Sequence, residues 1–493
     1  MLVSLTVGRD VDTVILGAGF AGLCAAIRLE QSGRSSFVVL EKADDVGGTW
    51  RDNTYPGVEC DVPSHLYSFS FAPNPNWSKT YGPGAEIKSY LRHCAERFGV
   101  IDRIVFGSAA EVARWDGDRW EVVASTGEVY RGRFLVAGLG GLHTPNVPDF
   151  PGREQFAGPV FHTSNWRHDV ALEGRRVGMV GTGATAVQAA PRVADIADRF
   201  SLFQRSPIWV GPKRDTPYTP EQRERFAADE DAIRAHRWQL WRGWETVGVE
   251  AFHAGSPANR AGEEAARRNI SDNVRDPELV AKLTPSYNYT CKRPTYSNEY
   301  YPMFNRSNVE LVTDPIECFT AEGIRVAGRD IDLDVIVLAT GFQPFDITTE
   351  VDIRGLGDRS LAEAWSERII SYRSIMVNGF PNLFVLLGPN SAGLTSAVQM
   401  IEAGTEMALQ VMDAVGAESI TGLHPRVEEV DAFTDWVDRA TAGTTVNQGC
   451  TSWWTGDGVN HSLWPESSIS YRMTLGDFRR DHLEAVVVEE ATR

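Results

Sequence analysis

The chain reads as an α/β protein with two Rossmann-like dinucleotide-binding domains and an α-helical insertion in the second. Three observations predict this. Val14-Ile15-Leu16 runs into Gly17-Ala18-Gly19-Phe20-Ala21-Gly22 and then a helical pattern. Val177-Gly178-Met179-Val180 runs in the same way into Gly181-Thr182-Gly183-Ala184-Thr185-Ala186. From about Lys213 to Thr290 the composition turns charged and alanine-rich, with helical spacing. Each glycine run is the turn between a strand and a helix whose free N–H groups face a pyrophosphate. One such turn is a weak signal, whereas two in strand–helix context are a strong one.

The end of the next strand separates the two ligands. Twenty-four residues after Gly17 stands Glu41, closing Phe37-Val38-Val39-Leu40. The same step from Gly181 reaches Arg205, after Ser201-Leu202-Phe203-Gln204. A carboxylate there accepts hydrogen bonds from ribose hydroxyls, and an arginine pairs with a 2′-phosphate. The first turn is therefore assigned to FAD and the second to NADPH, which makes the chain an electron relay.

The first βαβ unit spans about Val11 to Glu41. A glycine-, proline- and polar-rich loop follows from Gly47 to Asp61, placed to pass over the flavin. The aromatic run after it, with Phe69 and Phe71, is expected in the core. Ile87–Phe98 has helical spacing, and 111–123 and 129–137 alternate like strands of a small sheet. Leu139–Gly152, with Gly140, Gly141 and three prolines, is expected to cross to the second domain. Within the insertion, 221–244 and 258–273 are expected as helices whose charges form a solvated face. Asp334–Phe342 reads as a buried strand ending in a tight turn. Asn382–Pro389 and a helix from about Ser396 to Val415 are expected to return to the first domain. Residues 1–146 and 382–493 thus make the FAD-binding domain, 147–212 and 291–381 the NADPH-binding domain, and 213–290 the insertion.

With 493 residues the chain has room for two or three domains. Its 48 basic and 66 acidic residues leave a net charge of −18. No basic tract offsets it, which argues against a nucleic-acid or anionic-membrane partner. No apolar run is long enough for a membrane span, and Met1–Asp12 lacks the pattern of a secretory signal. A cytoplasmic location is expected. Cys24, Cys60, Cys94, Cys291, Cys318 and Cys450 include no Cys-x-x-Cys, so reduced thiols are expected, with neither a disulfide framework nor a zinc site.

From about residue 11 to its end the chain resembles the class B flavoprotein monooxygenases, and among them the type I Baeyer–Villiger monooxygenases. Three features carry the resemblance. The paired turns flank Phe156-x-Gly158-x-x-x-His162-x-x-x-Trp166. The family fingerprint continues with Pro or Asp, where this chain has Arg167; related heteroatom-oxidising enzymes usually carry Tyr or Phe where Trp166 stands. The loop from Gly47-Gly48-x-Trp50 through Tyr55-Pro56-Gly57 to Asp61 matches throughout. Lys292-Arg293 follows the insertion, ahead of Tyr300-Tyr301-x-Met303-Phe304-Asn305-Arg306.

The resemblance implies oxidation of a small-molecule ketone by O2, through a flavin C4a-peroxide, to an ester or lactone. It implies that Arg293 stabilises the anionic oxidant and adduct, with Asp61 orienting it beside the flavin. Gly17, Gly19, Phe20, Gly22, Glu41, Thr49, Trp50, Asp61 and Tyr67 are then expected along FAD. Gly181, Thr182, Gly183, Ala184, Thr185, Ala186, Arg205, Ser206, Lys292 and Arg293 are expected along NADPH. Trp453, in Cys450–Gly458, would close over NADP. His162 and Trp166, in a linker between the domains, would act on conformation and not on substrate, and no metal is expected. One alternative is a monooxygenase oxidising nitrogen or sulfur. A disulfide reductase would need a paired dithiol, and a non-catalytic NADP sensor would not need Asp61 and Arg293.

Overall fold

The computed structural model describes residues 9–487 except 345, 346, 394, 419, 449, 451, 453 and 457. Trp453 therefore lies outside the described residues. The first sheet runs, in spatial order, 352–354, 110–115, 120–124, 129–137, 10–16, 37–40 and 104–105, and Leu383–Val385 pairs with the far half of 129–137. The small sheet expected at 111–137 is thus continuous with the nucleotide sheet. Parallel pairing puts Leu16 opposite Leu40, so Gly17 and Glu41 leave the sheet side by side. The helix Phe20–Gln31 is buried along most of its length and shares a core with the long helix Ala397–Glu418, which returns from the far end of the chain as expected.

The second sheet is all parallel, in the order 309–312, 199–203, 176–180, 335–338, 160–162. Here Val180 lies opposite Phe203. The residue in register with Glu41 is therefore Gln204, and Arg205 stands one position beyond. Gln204 is buried and donates to the Lys282 carbonyl at 2.7 Å. Arg205 is exposed, free of the sheet. The equal step from each glycine hides this one-residue difference in strand register.

Three expectations change. The segment Asp352–Arg354 pairs with Val112–Arg114 of the first sheet, so the chain rejoins that sheet near residue 352, earlier than the expected limit at 382. We propose the domain boundary there. Val160–His162 is the outer strand of the second sheet, not part of a free linker. Trp166 packs edge-on against Phe161 at 5.3 Å, just beyond that strand. The insertion holds helices at 220–228, 230–251, 257–273 and 277–283. The expected 221–244 helix is broken at Asp229, whose carboxylate accepts from the N–H groups of Asp231 and Ala232 and starts a new helix.

The insertion is not only a solvated face. Arg237 reaches into the first domain and donates to the carbonyls of His65 (2.6 Å) and Ser68 (2.9 Å). Beside it, His65 meets Tyr218, Phe226 and His236 edge-on, with centroids 4.8–5.1 Å away. His65 Nε2 is buried without a hydrogen-bond partner. Burial, with His236 and Arg237 adding to it, pushes the His65 pKa down to about 3. A histidine held neutral this way contributes stability that is present above its unfolded pKa of about 6.5 and is lost as pH falls toward 3. Between pH 7.5 and 5.5 one such group costs about 1.4 kcal/mol. The melting temperature is expected to drop less over that interval in His65→Phe than in the parent. Equal drops would show that this histidine does not set the acid limb.

Candidate active site

The first glycine turn is built for close backbone approach. Gly17 has φ +89°, and a Cβ on Gly22 would sit 1.8 Å from the Gly17 carbonyl oxygen. Gly19 starts the 20–31 helix with no side-chain cap and no acidic residue in the first turn, leaving donors for a diphosphate. Glu41 is buried; its Oε2 accepts from Ala18 N at 2.7 Å and its Oε1 from Arg51 Nη1 at 2.8 Å. Arg51 was not foreseen from sequence, yet it fixes the carboxylate expected to hold a ribose. Gly22→Ala is expected to push the turn open. Overpacking of this kind costs roughly 1–3 kcal/mol, so FAD retention should fall about tenfold or more. Full flavin content after gel filtration would count against this reading.

The 47–61 loop lies on that turn: a Cβ on Gly48 would come within 3.2 Å of Gly19 Cα. Thr49 opens the short helix Thr49–Asp52. Trp50 Nε1 donates to Tyr67 OH at 3.3 Å, and Phe20 meets Tyr67 edge-on at 5.0 Å. Phe20, Trp50 and Tyr67 thus form one aromatic wall beside the turn. The loop then crosses to the second domain. Gln188, on the helix Ala184–Ile196, accepts from Tyr55 OH and donates to the Glu59 carbonyl, both at 2.9 Å.

At the end of this loop Asp61 meets Arg293. Nε donates to Oδ2 at 2.9 Å and Nη2 to Oδ1 at 3.0 Å, a bidentate pair across 232 residues. Among the described residues Nη1 has no protein acceptor, so it is the donor left for another partner. Burial alone would raise the Asp61 pKa, but Arg293, with help from Lys213, holds it below the usual carboxylate range. Asp61 in turn raises Arg293 further. The Lys213 ammonium pairs with Glu59 and lies 4.9 Å from the Tyr81 ring centroid. Lys213, Glu59 and Gln188 brace the pair, and none is marked by a sequence motif.

The second turn repeats the design. Gly181 has φ +112°, and a Cβ there would meet the Ala339 carbonyl at 2.3 Å. Gly183 starts the 184–196 helix, again without a side-chain cap or early acid. Ala184, Thr185 and Ala186 form its first turn. Thr182 Oγ1 donates to the Ser206 carbonyl at 2.9 Å, and Lys292 Nζ donates to Ser206 Oγ at 3.2 Å. Burial first, and then the charge of Arg205, lowers the Lys292 pKa. Among the described residues neither cation has a carboxylate partner. Two uncompensated cations around a hydroxyl suit a phosphate dianion.

Residues 15–82 match the NAD(P)-binding Rossmann-like domain family. A Baeyer–Villiger monooxygenase of Streptomyces coelicolor is 39% identical over 477 residues, covering 94% of this chain and 91% of that protein. The chain belongs to the Baeyer–Villiger monooxygenases. Solved structures of this family share its fold. Cyclohexanone monooxygenase from Rhodococcus sp. Phi1 bound to NADP+ superimposes with a TM-score of 0.88 at 30% identity, covering 97% of this chain and 100% of that one. A complex of OTEMO with FAD and NADP gives 0.86 at 26% identity, over 96% of this chain and 99% of that one.

Within this Baeyer–Villiger monooxygenase the fingerprint departure is accommodated at the surface: Arg167 is exposed and pairs with Asp169 at 2.7 Å. The expectation of reduced thiols is overturned at one pair. Cys291 and Cys450 form a disulfide across 159 residues, with Cα atoms 6.2 Å apart. Sequence spacing carries no sign of it, because the segment that follows the insertion and the C-terminal segment come together only in space. The chain does hold a paired dithiol, so family membership, not cysteine spacing, decides against a disulfide reductase. No helix among the described residues is long and apolar enough to cross a membrane.

Proposed function

We propose that this chain uses FAD and NADPH to insert one oxygen atom of O2 beside the carbonyl of a small-molecule ketone, giving an ester or lactone. The observation that carries this reading is the bidentate Asp61–Arg293 pair, at the end of a loop that packs on the first uncapped turn through Gly48 and is tied through Glu59 to Gln188 on the helix that follows the second. Bound together, the two cofactors supply the hydride and the electrons that activate O2. FAD would be held by the Gly17–Gly22 turn, with Glu41 to accept from its ribose and Thr49, Trp50 and Tyr67 available along it. NADPH would be held by the Gly181–Ala186 turn, with Arg205, Ser206 and Lys292 to receive its 2′-phosphate.

The chemistry asked of the protein is control of negative charge. Arg293 stays protonated at any working pH and presents its donors in a fixed plane. Asp61 occupies one edge of that plane and sets its orientation. Nη1 then meets the charge that develops on the reacting oxygen, in a half-buried site where such contacts count for more than in water. An oxygenase for nitrogen or sulfur works with a neutral oxidant and has less need of this fixed cation. We place the enzyme in the cytoplasm, where NADPH is supplied to it. A panel of linear, cyclic, aryl and steroid ketones, with products identified by mass spectrometry and NADPH consumption measured in parallel, tests the reading. Esters or lactones matched to NADPH consumed are expected. N- or S-oxides with no ester from any ketone would replace it with the heteroatom reading.

A further inference from the structure

The Cys291–Cys450 disulfide is one rung of a seam. Asn288 Nδ2 donates to Gln448 Oε1 at 3.2 Å, and the hydroxyls of Thr290 and Thr445 are 2.8 Å apart. Thr445 N also donates to the Phe252 carbonyl at 2.8 Å. Thr445, Gln448 and Cys450 are thereby fastened to Asn288, Thr290 and Cys291, the segment that leads directly into Lys292 and Arg293. A second feature marks this place. Thr290 is β-branched yet has φ +70°, a left-handed conformation that such a residue adopts only under constraint. Its buried hydroxyl is held by Ala251 and Thr445. On the far side of the seam Trp454 packs on Phe252 at 5.3 Å, in a small cluster with Val446 and Leu463. The two sulfurs differ in access: Cys291 is buried, and Cys450 is partly exposed.

We propose that Cys291 and Cys450 form a peroxide-responsive redox site that locks this seam. Hydrogen peroxide is the two-electron oxidant, and the enzyme's own chemistry releases it whenever activated oxygen fails to reach a ketone. The Cys450 thiolate attacks one peroxide oxygen; the S–O bond forms, the O–O bond breaks, and hydroxide leaves as water after taking a proton. The Cys291 thiolate then attacks that sulfur; the S–S bond forms, the S–O bond breaks, and the second oxygen leaves as water. Two thiols become one disulfide, and one peroxide becomes two waters. A dithiol reductant reverses the change by exchange. The locked seam holds the backbone of Lys292 and Arg293 in place, so leaked peroxide tightens the site that leaked it. Cys24, Cys60 and Cys94 are buried, and burial pushes their thiols up, which makes them poor competitors, whereas Cys318 is free and partly exposed on a separate strand, 316–319, and its label should not depend on dithiothreitol.

The coupling to the active site rests on the proposed roles of Lys292 and Arg293; the redox site itself does not. The test uses the full-length flavoprotein. Dithiothreitol should free two thiols, which peptide mapping after maleimide labelling places at Cys291 and Cys450, and one equivalent of hydrogen peroxide, added after the reductant is removed and before the maleimide, should prevent labelling of both. Reduction should expose the 445–460 region to limited proteolysis. It should also weaken NADP+ binding, followed by tryptophan fluorescence, by roughly fivefold or more. Cys450→Ser should behave as the reduced protein and ignore both reagents. Labelling of both cysteines without any reduction, and to the same extent after peroxide treatment, would overturn the redox site. Reversible chemistry with unchanged proteolysis and NADP+ affinity would overturn the lock. A lock that operates in a protein whose NADP+ affinity is indifferent to Lys292→Ala would instead locate the failure in the assigned role of Lys292.

Discussion

Arg293→Ala is expected to cut ester formation by about a thousandfold or more while NADPH is still consumed. Removing one preorganised donor from a developing oxyanion costs roughly 10²- to 10³-fold. Here the substitution also strips the charge partner from Asp61, leaving a half-buried carboxylate without its bidentate mate. Breaking a pair in this way costs more than the pair's net worth. Hydride delivery is assigned to cofactors on the two nucleotide turns, which the substitution leaves intact, so NADPH oxidation should persist and end in hydrogen peroxide. Arg293→Lys keeps the charge but cannot make two parallel bonds to Asp61, so it should fall between parent and Arg293→Ala. The double variant Arg293→Ala/Asp61→Ala removes both charges and separates lost chemistry from lost folding. Product formation and peroxide release, measured per NADPH consumed, decide the matter. Ester formation above a tenth of the parent's in a folded Arg293→Ala would exclude the assigned role.

The sequence carries the nucleotide-binding units because their information is local. Strand, glycine turn, helix and the end of the next strand lie within about thirty residues, and the glycines record backbone contacts directly. The 1.8 Å between a Gly22 Cβ and the Gly17 carbonyl is the physical content of that motif. Asp61 and Arg293 were legible for another reason, resemblance in two separate loops, and no local rule predicts their meeting across 232 residues. The braces around them were not legible. Arg51, Lys213, Gln188 and Glu59 act through partners distant in sequence or through a loop whose path is set by tertiary contacts. The disulfide belongs to this class. Other misses had signals that were passed over. Asp229, followed by Glu230 and Asp231, is a helix N-cap read from residue types alone. The register difference that makes Gln204, not Arg205, the counterpart of Glu41 in the second sheet was beyond reach, since a fixed step along the chain does not report how two strands pair.

That register difference bears on coenzyme choice. Gln204 is tied down inside the fold, whereas Arg205 extends from it as an exposed cation near Lys292 and Ser206. A charge-assisted hydrogen bond contributes roughly 1.5–3 kcal/mol. At about 1.4 kcal/mol per tenfold, Arg205→Ala should lower the ratio of kcat/KM for NADPH to that for NADH by roughly 10- to 100-fold. NADH itself, lacking the phosphate, should be little affected. Arg205→Ala/Lys292→Ala should lower the ratio further. Salt distinguishes the two cations. Exposed charges are screened at ordinary ionic strength, and half-buried ones much less. The parent's NADPH preference should therefore fall as salt is raised, and the smaller preference left in Arg205→Ala, carried by Lys292, should be the less salt-sensitive. Steady-state kinetics with both coenzymes across a salt series reads all of these. An unaltered ratio in Arg205→Ala, or equal losses with NADPH and NADH, would remove Arg205 from phosphate recognition. A ratio in Arg205→Ala as salt-sensitive as the parent's would instead place the dominant contact on another exposed cation.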